Sequence, residues 1–205
     1  MKKLLLLLIF LLSLNVSSQV IKIKHTYYEI TFDCNLKEPL YTYYILTKNM
    51  YNGKFERTSF HSDDKVSLGT QANEDDYYQD PKKMVYDKGH LSPDVDFTFN
   101  KKAESEVMVF TNCAPQDLHF NRGIWHKLEN YIRELCKKTN IEVYTGCIYN
   151  GSTEKLNSLI VPKFYWKLIK YNNTYYGWLI PNKSDNGKDL DKFKVDPNSL
   201  LKLIN

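Results

Sequence analysis

The chain has 205 residues, with 28 Lys and Arg against 24 Asp and Glu and a formal net charge of +4. That length suits one domain with a real core. The charge excludes a protein that holds nucleic acid by bulk basicity, so any phosphate-facing surface has to come from local clustering.

The N-terminus reads as a leader. Met1-Lys2-Lys3 is basic, Leu4 to Leu14 is apolar apart from Ser13, and Val16-Ser17-Ser18 supplies small residues for cleavage after Ser18. The apolar run falls short of the roughly 20 residues of a membrane span. A buried N-terminal helix or a retained anchor are the alternatives. Removing residues 1–18 as a signal peptide leaves 187 residues, 19–205, as one domain. Two lysines leave with the leader, so 26 positive side chains face 24 negative ones and +4 becomes +2. No second long apolar segment follows, so a secreted or periplasmic protein without stable membrane association is expected. Cys34, Cys113, Cys136 and Cys147 are an even number in an exported chain. They are expected to form two disulfides with the pairing open, free buried thiols being the alternative. No CxxC spacing points to structural zinc.

In chain order, Thr26–Phe32 and Leu40–Leu46 are rich in Tyr and Ile and read as strands. Ser62–Lys83 is polar and reads as a long surface loop, and Val107–Thr111 reads as a short buried strand. Asn121–Lys138 is the clearest helix. Ile124, Leu128, Tyr131, Ile132 and Leu135 share one face, Asn121 stands at the N-cap, and Lys137-Lys138 stand where the dipole favours cations. Ile141–Thr145, Phe164–Ile169 and Tyr175–Ile180 read as strands. Strands without regular helical crossovers imply an α+β fold with a central, mainly antiparallel sheet. The sixteen tyrosines read as strand and core aromatics, not as a base-stacking platform.

Two stretches carry chemistry: Tyr86-Asp87-Lys88-Gly89-His90-Leu91-Ser92-Pro93, and Thr111 to Gln116 followed by Asn121 to Glu129. They suit phosphodiester hydrolysis, which needs a base for water, positive charge for the phosphorane oxygens and a stabiliser for the leaving 3′ oxygen. A neutral imidazole serves as base near pH 7. One magnesium ion can supply the rest, and it keeps several waters, so a single protein oxygen can hold it.

On these residues the chain resembles the DNA/RNA non-specific endonucleases of the ββα-metal class. Asp87-Lys88-Gly89-His90 matches their Asp-Arg-Gly-His signature in three of four positions. Asn112 to Gln116 matches their Asn-x-x-Pro-Gln turn, and Asn121 to Glu129 their Asn-x-Gly-x-Trp-x-x-Leu-Glu helix. Thr145-Gly146 and Val161 to Lys167 recur as well. The resemblance covers roughly residues 41–182. It implies a ββα-metal nuclease fold, DNA and RNA as substrates, and Mg2+ as cofactor, with Mn2+ or another divalent cation able to substitute. His90 is implied as general base, Asn121 as the direct metal ligand, and Glu129 as the acid that acts on the metal through water. Asn112 and Gln116 are implied to position base, water and phosphate; Lys88 and Arg57 are implied to contact phosphate. Lys88 departs from the family's Arg and replaces a bidentate fork with a point charge. Val95 departs from Ala or Gly, which puts the packing behind the His90 loop in question. The chain ends soon after Phe193–Asp196, where many relatives continue.

Each reading has a plainer rival. Asn121 would serve as an N-cap alone, Glu129 as the i+4 partner of Arg133, and Arg57 as an ordinary surface residue. His119 and His126 flank the site without the spacing of a zinc cluster. A nucleic-acid-binding module on an inactive nuclease scaffold would have lost His90 or Asn121, and both are present. An extracellular interaction protein braced by disulfides would leave both blocks as coincidence. If His90 is the base, activity should rise from acid toward neutral pH.

Overall fold

The computed structural model describes residues 19–51 and 53–204, so the leader lies outside the described residues. Seven antiparallel strands form one sheet. In chain order they are β1 (Val20–Lys24), β2 (Tyr28–Asp33), β3 (Glu38–Leu46), β6 (Ile141–Ile148), β7 (Phe164–Tyr171), β8 (Thr174–Pro181) and β9 (Lys194–Val195), and they lie side by side in that same order. The turn between β7 and β8 is made by Asn172 and Asn173, at φ 49° and 60°. Two successive left-handed residues make a hairpin turn whose twist matches its strands, and asparagine tolerates that region better than most residues.

Everything between β3 and β6 is inserted between two neighbouring strands, and this insertion carries the candidate chemistry. It contains β4 (Tyr86–His90), α1 (Lys101–Val107), β5 (Cys113–Asp117) and α2 (His126–Cys136). β4 and β5 pair antiparallel as a separate two-stranded ribbon, with His90 opposite Cys113 and Asp87 opposite Gln116. With α1 between its two strands, the ribbon leads directly into a helical segment after β5. The expected α+β architecture is present, with a large antiparallel sheet and few helices.

The helix differs from its expected form. Asp117, not Asn121, is the N-cap, accepting from the His119 and Phe120 backbone N–H groups. One turn, Leu118–Phe120, leads into a π-helical turn over Asn121–Trp125 before α2 begins. Gly123, at φ −105° and ψ −106°, departs from helical geometry and lets the turn widen. π-turns inside helices concentrate at functional sites because they re-aim side chains. Ile124, Leu128 and Ile132 are buried on the sheet, as their spacing requires, whereas Tyr131 is 42% exposed. Val107–Thr111 is not a strand: α1 ends at Val107, and a 3-10 turn spans Phe110–Asn112. Val109 meets His61 only through an isolated bridge.

β7 is buried on both faces. Tyr165 and Ile169 enter the main core with Trp125 and Trp178, while Trp166 and Leu168 pack with Leu200 on the other side. Burial of each such side chain contributes roughly 1.5–3 kcal/mol. All four cysteines are free and buried, and the two expected disulfides are not formed. Cys34, Cys136 and Cys147 sit in the main core and Cys113 in a smaller cluster, where they act as small apolar side chains. Among the described residues no helix is long and apolar enough to cross a membrane.

Candidate active site

A cleft of about 630 Å³ opens where the ribbon meets the helix, and Arg57, Lys88, His90, Asn121 and Glu129 all line it. Strand β4 ends at His90, so its imidazole projects from the ribbon's tip. The ring is buried and stacked on Phe60, with centroids 4.8 Å apart. Nε2 lies 3.2 Å from the Met108 sulfur, a weak acceptor. In the tautomer protonated on Nε2, that proton meets the sulfur and the Nδ1 lone pair is free to accept a proton. Burial pushes the His90 pKa down to about 4; Asp94 opposes this and Arg57 reinforces it. The imidazole is therefore neutral over a wider range than an exposed histidine.

A side chain at the preceding Gly89 would have to displace Gln116. A Cβ there would lie 2.1 Å from Gln116 Oε1 and 2.2 Å from Gln116 Cδ. Gln116 and Asn112 are fully buried and do not line the cleft, so direct contact with water or phosphate does not follow for them. Asn112 instead braces the turn after the histidine. Its side-chain oxygen accepts from Ser92 N (3.0 Å), and its amide nitrogen donates to Ser92 O and Val107 O (2.9 Å each). Gln116 fills the space over Gly89, and neither of its amide atoms has a hydrogen-bond partner among the described residues.

Asp87 organises the helical side. It accepts from Asn121 Nδ2 at 2.9 Å and takes Arg122 as a fork, from Nε at 3.0 Å and Nη2 at 2.7 Å. With its nitrogen held there, the Asn121 amide presents its oxygen on the opposite side. Two turns on, Glu129 is partly buried, its side chain 11% exposed, and desolvation raises its pKa against the opposing pull of Lys167 and Arg133. Its oxygens lie 4.0 Å from Lys167 Nζ and 3.8 Å from Arg133 Nη2. The expected i+4 pairing with Arg133 therefore exists beside the carboxylate's place in the cleft. Lys167 itself is fully buried, donates to Thr145 Oγ1 at 2.8 Å and stands 4.7 Å from the Trp125 ring centroid. Burial pushes its pKa down to about 8, with Glu129 opposing.

Arg57 and Lys88, the cations expected to contact phosphate, are each matched by an acid. Arg57 lies 3.4 Å from Asp94, and Lys88 donates to both oxygens of Glu74 at 2.5 and 2.7 Å. Lys88 Nζ also lies 5.4 Å from the Phe60 ring centroid and 5.9 Å from that of Phe110. Val95 is 43% exposed on the cleft wall, so it does not pack behind the His90 loop.

Known proteins resemble this chain. The family described as DNA/RNA non-specific endonuclease matches residues 9–203. The chain belongs to that family. A salivary endonuclease of Lutzomyia longipalpis is 31% identical, over 71% of this chain and 42% of the relative. Mitochondrial endonuclease G of Bos taurus is 30% identical, over 69% and 51%, and a nuclease of Serratia marcescens 29%, over 62% and 52%. The chain thus spans about half or less of the curated relatives it matches. A structure of EndoG in the EndoG/EndoGI complex superposes with a TM-score of 0.77, covering 88% of this chain and 82% of that one at 23% identity. It shares the ββα-metal nuclease fold.

Within this family member, sequence reasoning passed over Asp87, Glu74, Asp94 and Lys167. Asp87 stood inside the signature without a role. Lys167 carried a signal, a charge in the middle of an apolar strand. Glu74 and Asp94 carried none, because nothing in a polar loop says which cation it will meet.

Proposed function

We propose that the chain is an exported, divalent-metal-dependent endonuclease that hydrolyses DNA and RNA with little regard for sequence, and that Mg2+ is its metal. The observation that carries this is the convergence of a neutral buried His90, an Asn121 oxygen oriented by Asp87, and Lys88 and Arg57 in one cleft. The donor set fits magnesium. Among the described residues no group of three or more His, Cys, Asp or Glu side chains could enclose a metal. One amide oxygen from Asn121, backed by the Glu129 carboxylate, is a sparse set of hard oxygens, which suits an ion that keeps most of its waters and does not suit zinc. When bound, such an ion supplies positive charge to the phosphate and the leaving oxygen.

The chain's own residues do the rest. His90 Nδ1 takes a proton from water as that water's oxygen bonds to phosphorus. The bond from phosphorus to the 3′ oxygen breaks, leaving a 5′-phosphate, and the departing 3′ oxygen takes a proton from solvent water to become a 3′-hydroxyl. Lys88 and Arg57 hold the non-bridging oxygens as point charge and fork respectively. Contacts to phosphate read no base, so broad substrate use follows. Export rests on the leader pattern of residues 1–18 and finds support in a salivary relative. Purified protein should convert supercoiled plasmid and RNA to fragments with magnesium and not with chelator. A protein that binds both and cuts neither would establish the binding-module reading instead.

A further inference from the structure

Beside the catalytic cleft lies a second groove of about 430 Å³, lined by His119, Arg122, Lys127, Lys183 and Lys188 with Gly123 and Gly187, and by no acidic residue. Arg122 lines both spaces, so the groove continues from the cleft. The two differ in charge balance. In the cleft, Arg57, Lys88 and Arg122 are answered by Asp94, Glu74 and Asp87. The cleft therefore offers a polyanion little net attraction, and the whole chain carries only +4. In the groove, Lys127 Nζ donates to the Lys188 backbone oxygen at 2.6 Å, and Lys188 has no ion-pair partner among the described residues. Lys183 pairs with Asp185 at 3.0 Å, but both side chains are more than half exposed, and such a pair is easily exchanged for a phosphate.

The loop is built to hold this shape. Asn186 donates to Pro181 O and Lys183 O, at 2.7 Å each, and Gly187 takes φ +70°. A Cβ on Gly123 or Gly187 would meet nothing within 4 Å. Both glycines thus leave backbone open to close approach.

We infer that this groove is a track for the sugar–phosphate backbone of a single nucleic-acid strand continuing out of the cleft, with Lys183 and Lys188 neutralising phosphates beyond the cut. The assignment rests on the nuclease reading of the cleft. It predicts that affinity grows with strand length through counterion release.

The test uses the full chain with His90→Ala and chelator to prevent cutting, with and without Lys183→Gln and Lys188→Gln together. Binding of a long single strand and of a tetranucleotide is measured across salt. Each lost phosphate contact on a single strand lowers the steepness of log K against log salt by about 0.7, so the double variant should lose about 1.4 on the long strand. The tetranucleotide slope should not move. An unchanged slope on the long strand overturns the groove, and so does an equal change on both ligands. Cleavage of plasmid by the unaltered protein is scored separately: cutting with an unmoved slope sinks the track alone, and no cutting sinks the nuclease reading.

Discussion

Replacing Asp87 by Ala should show that the signature's aspartate works through Asn121, the proposed metal ligand, and not on the substrate. Asp87 carries three hydrogen bonds, one from Asn121 and two from Arg122, and its side chain is only 15% exposed. Without it the Asn121 amide is free to turn, and half of its orientations offer N–H where an oxygen is needed. Partners that orient a metal ligand typically contribute about 10–100-fold in metal affinity, or roughly 1.4–2.8 kcal/mol. The magnesium concentration for half-maximal plasmid cleavage should rise by that factor, while the rate at saturating magnesium recovers most of its original value. Manganese binding followed by electron paramagnetic resonance should weaken in parallel, without reference to turnover. Circular dichroism would establish that the variant is folded. An unchanged magnesium requirement with a collapsed maximal rate would refute the reasoning and place Asp87 in the chemical step.

Three further outcomes follow from the same geometry. Glu74→Gln frees Lys88 from an acid that is 71% exposed, so substrate affinity should rise by up to about fivefold, the range of an exposed ion pair, with the maximal rate unchanged; fluorescence anisotropy in the presence of chelator reads it, and weaker binding would mean that Glu74 positions Lys88 instead. Because burial lowers the His90 pKa to about 4, base function persists well below the ordinary histidine value of about 6.5 and fails as pH falls through 4. The same shift makes this group's contribution to stability complete above about pH 6.5 and progressively lost between there and 4, since the unfolded chain takes up the proton first. Pre-steady-state cleavage against pH would show an acid limb at about 6.5 if the burial argument were wrong. The four thiols, buried and unpaired, should resist modification in the native protein and all react in denaturant; a mass two or four hydrogens light before reduction would restore the disulfides.

The ribbon that holds the histidine shows why some of this was legible and some not. Residues 86–90 have no run of β-branched residues, and Asp87, Lys88 and Gly89 argue against a strand by propensity. The pairing with β5 and the packing of Gln116 over Gly89 override that preference, and neither is visible locally. The helix was legible because Ile124, Leu128 and Ile132 keep a helical period, but its start was not. Asp117 takes the cap, and a π-helical turn over Asn121–Trp125, non-helical at Gly123, precedes the regular helix. The paired cysteines were inferred from compartment, and packing placed each thiol among apolar side chains instead. Asn112 and Gln116 stood at the expected spacing, yet as buried members of the 3-10 turn and of β5 they support the site from behind.

The most direct test of the account measures plasmid cleavage and metal binding together for His90→Ala and Asn121→Ala. His90→Ala should lose at least the roughly 10²–10⁴-fold that a general base contributes, while binding DNA and manganese as before. Asn121→Ala should lose turnover together with metal affinity and regain part of its rate in excess magnesium. The double variant should be little worse than the poorer single one, because residues acting as a unit are not additive. A folded His90→Ala protein that cuts plasmid at the unaltered rate would contradict the assignment of the base and the mechanism built on it.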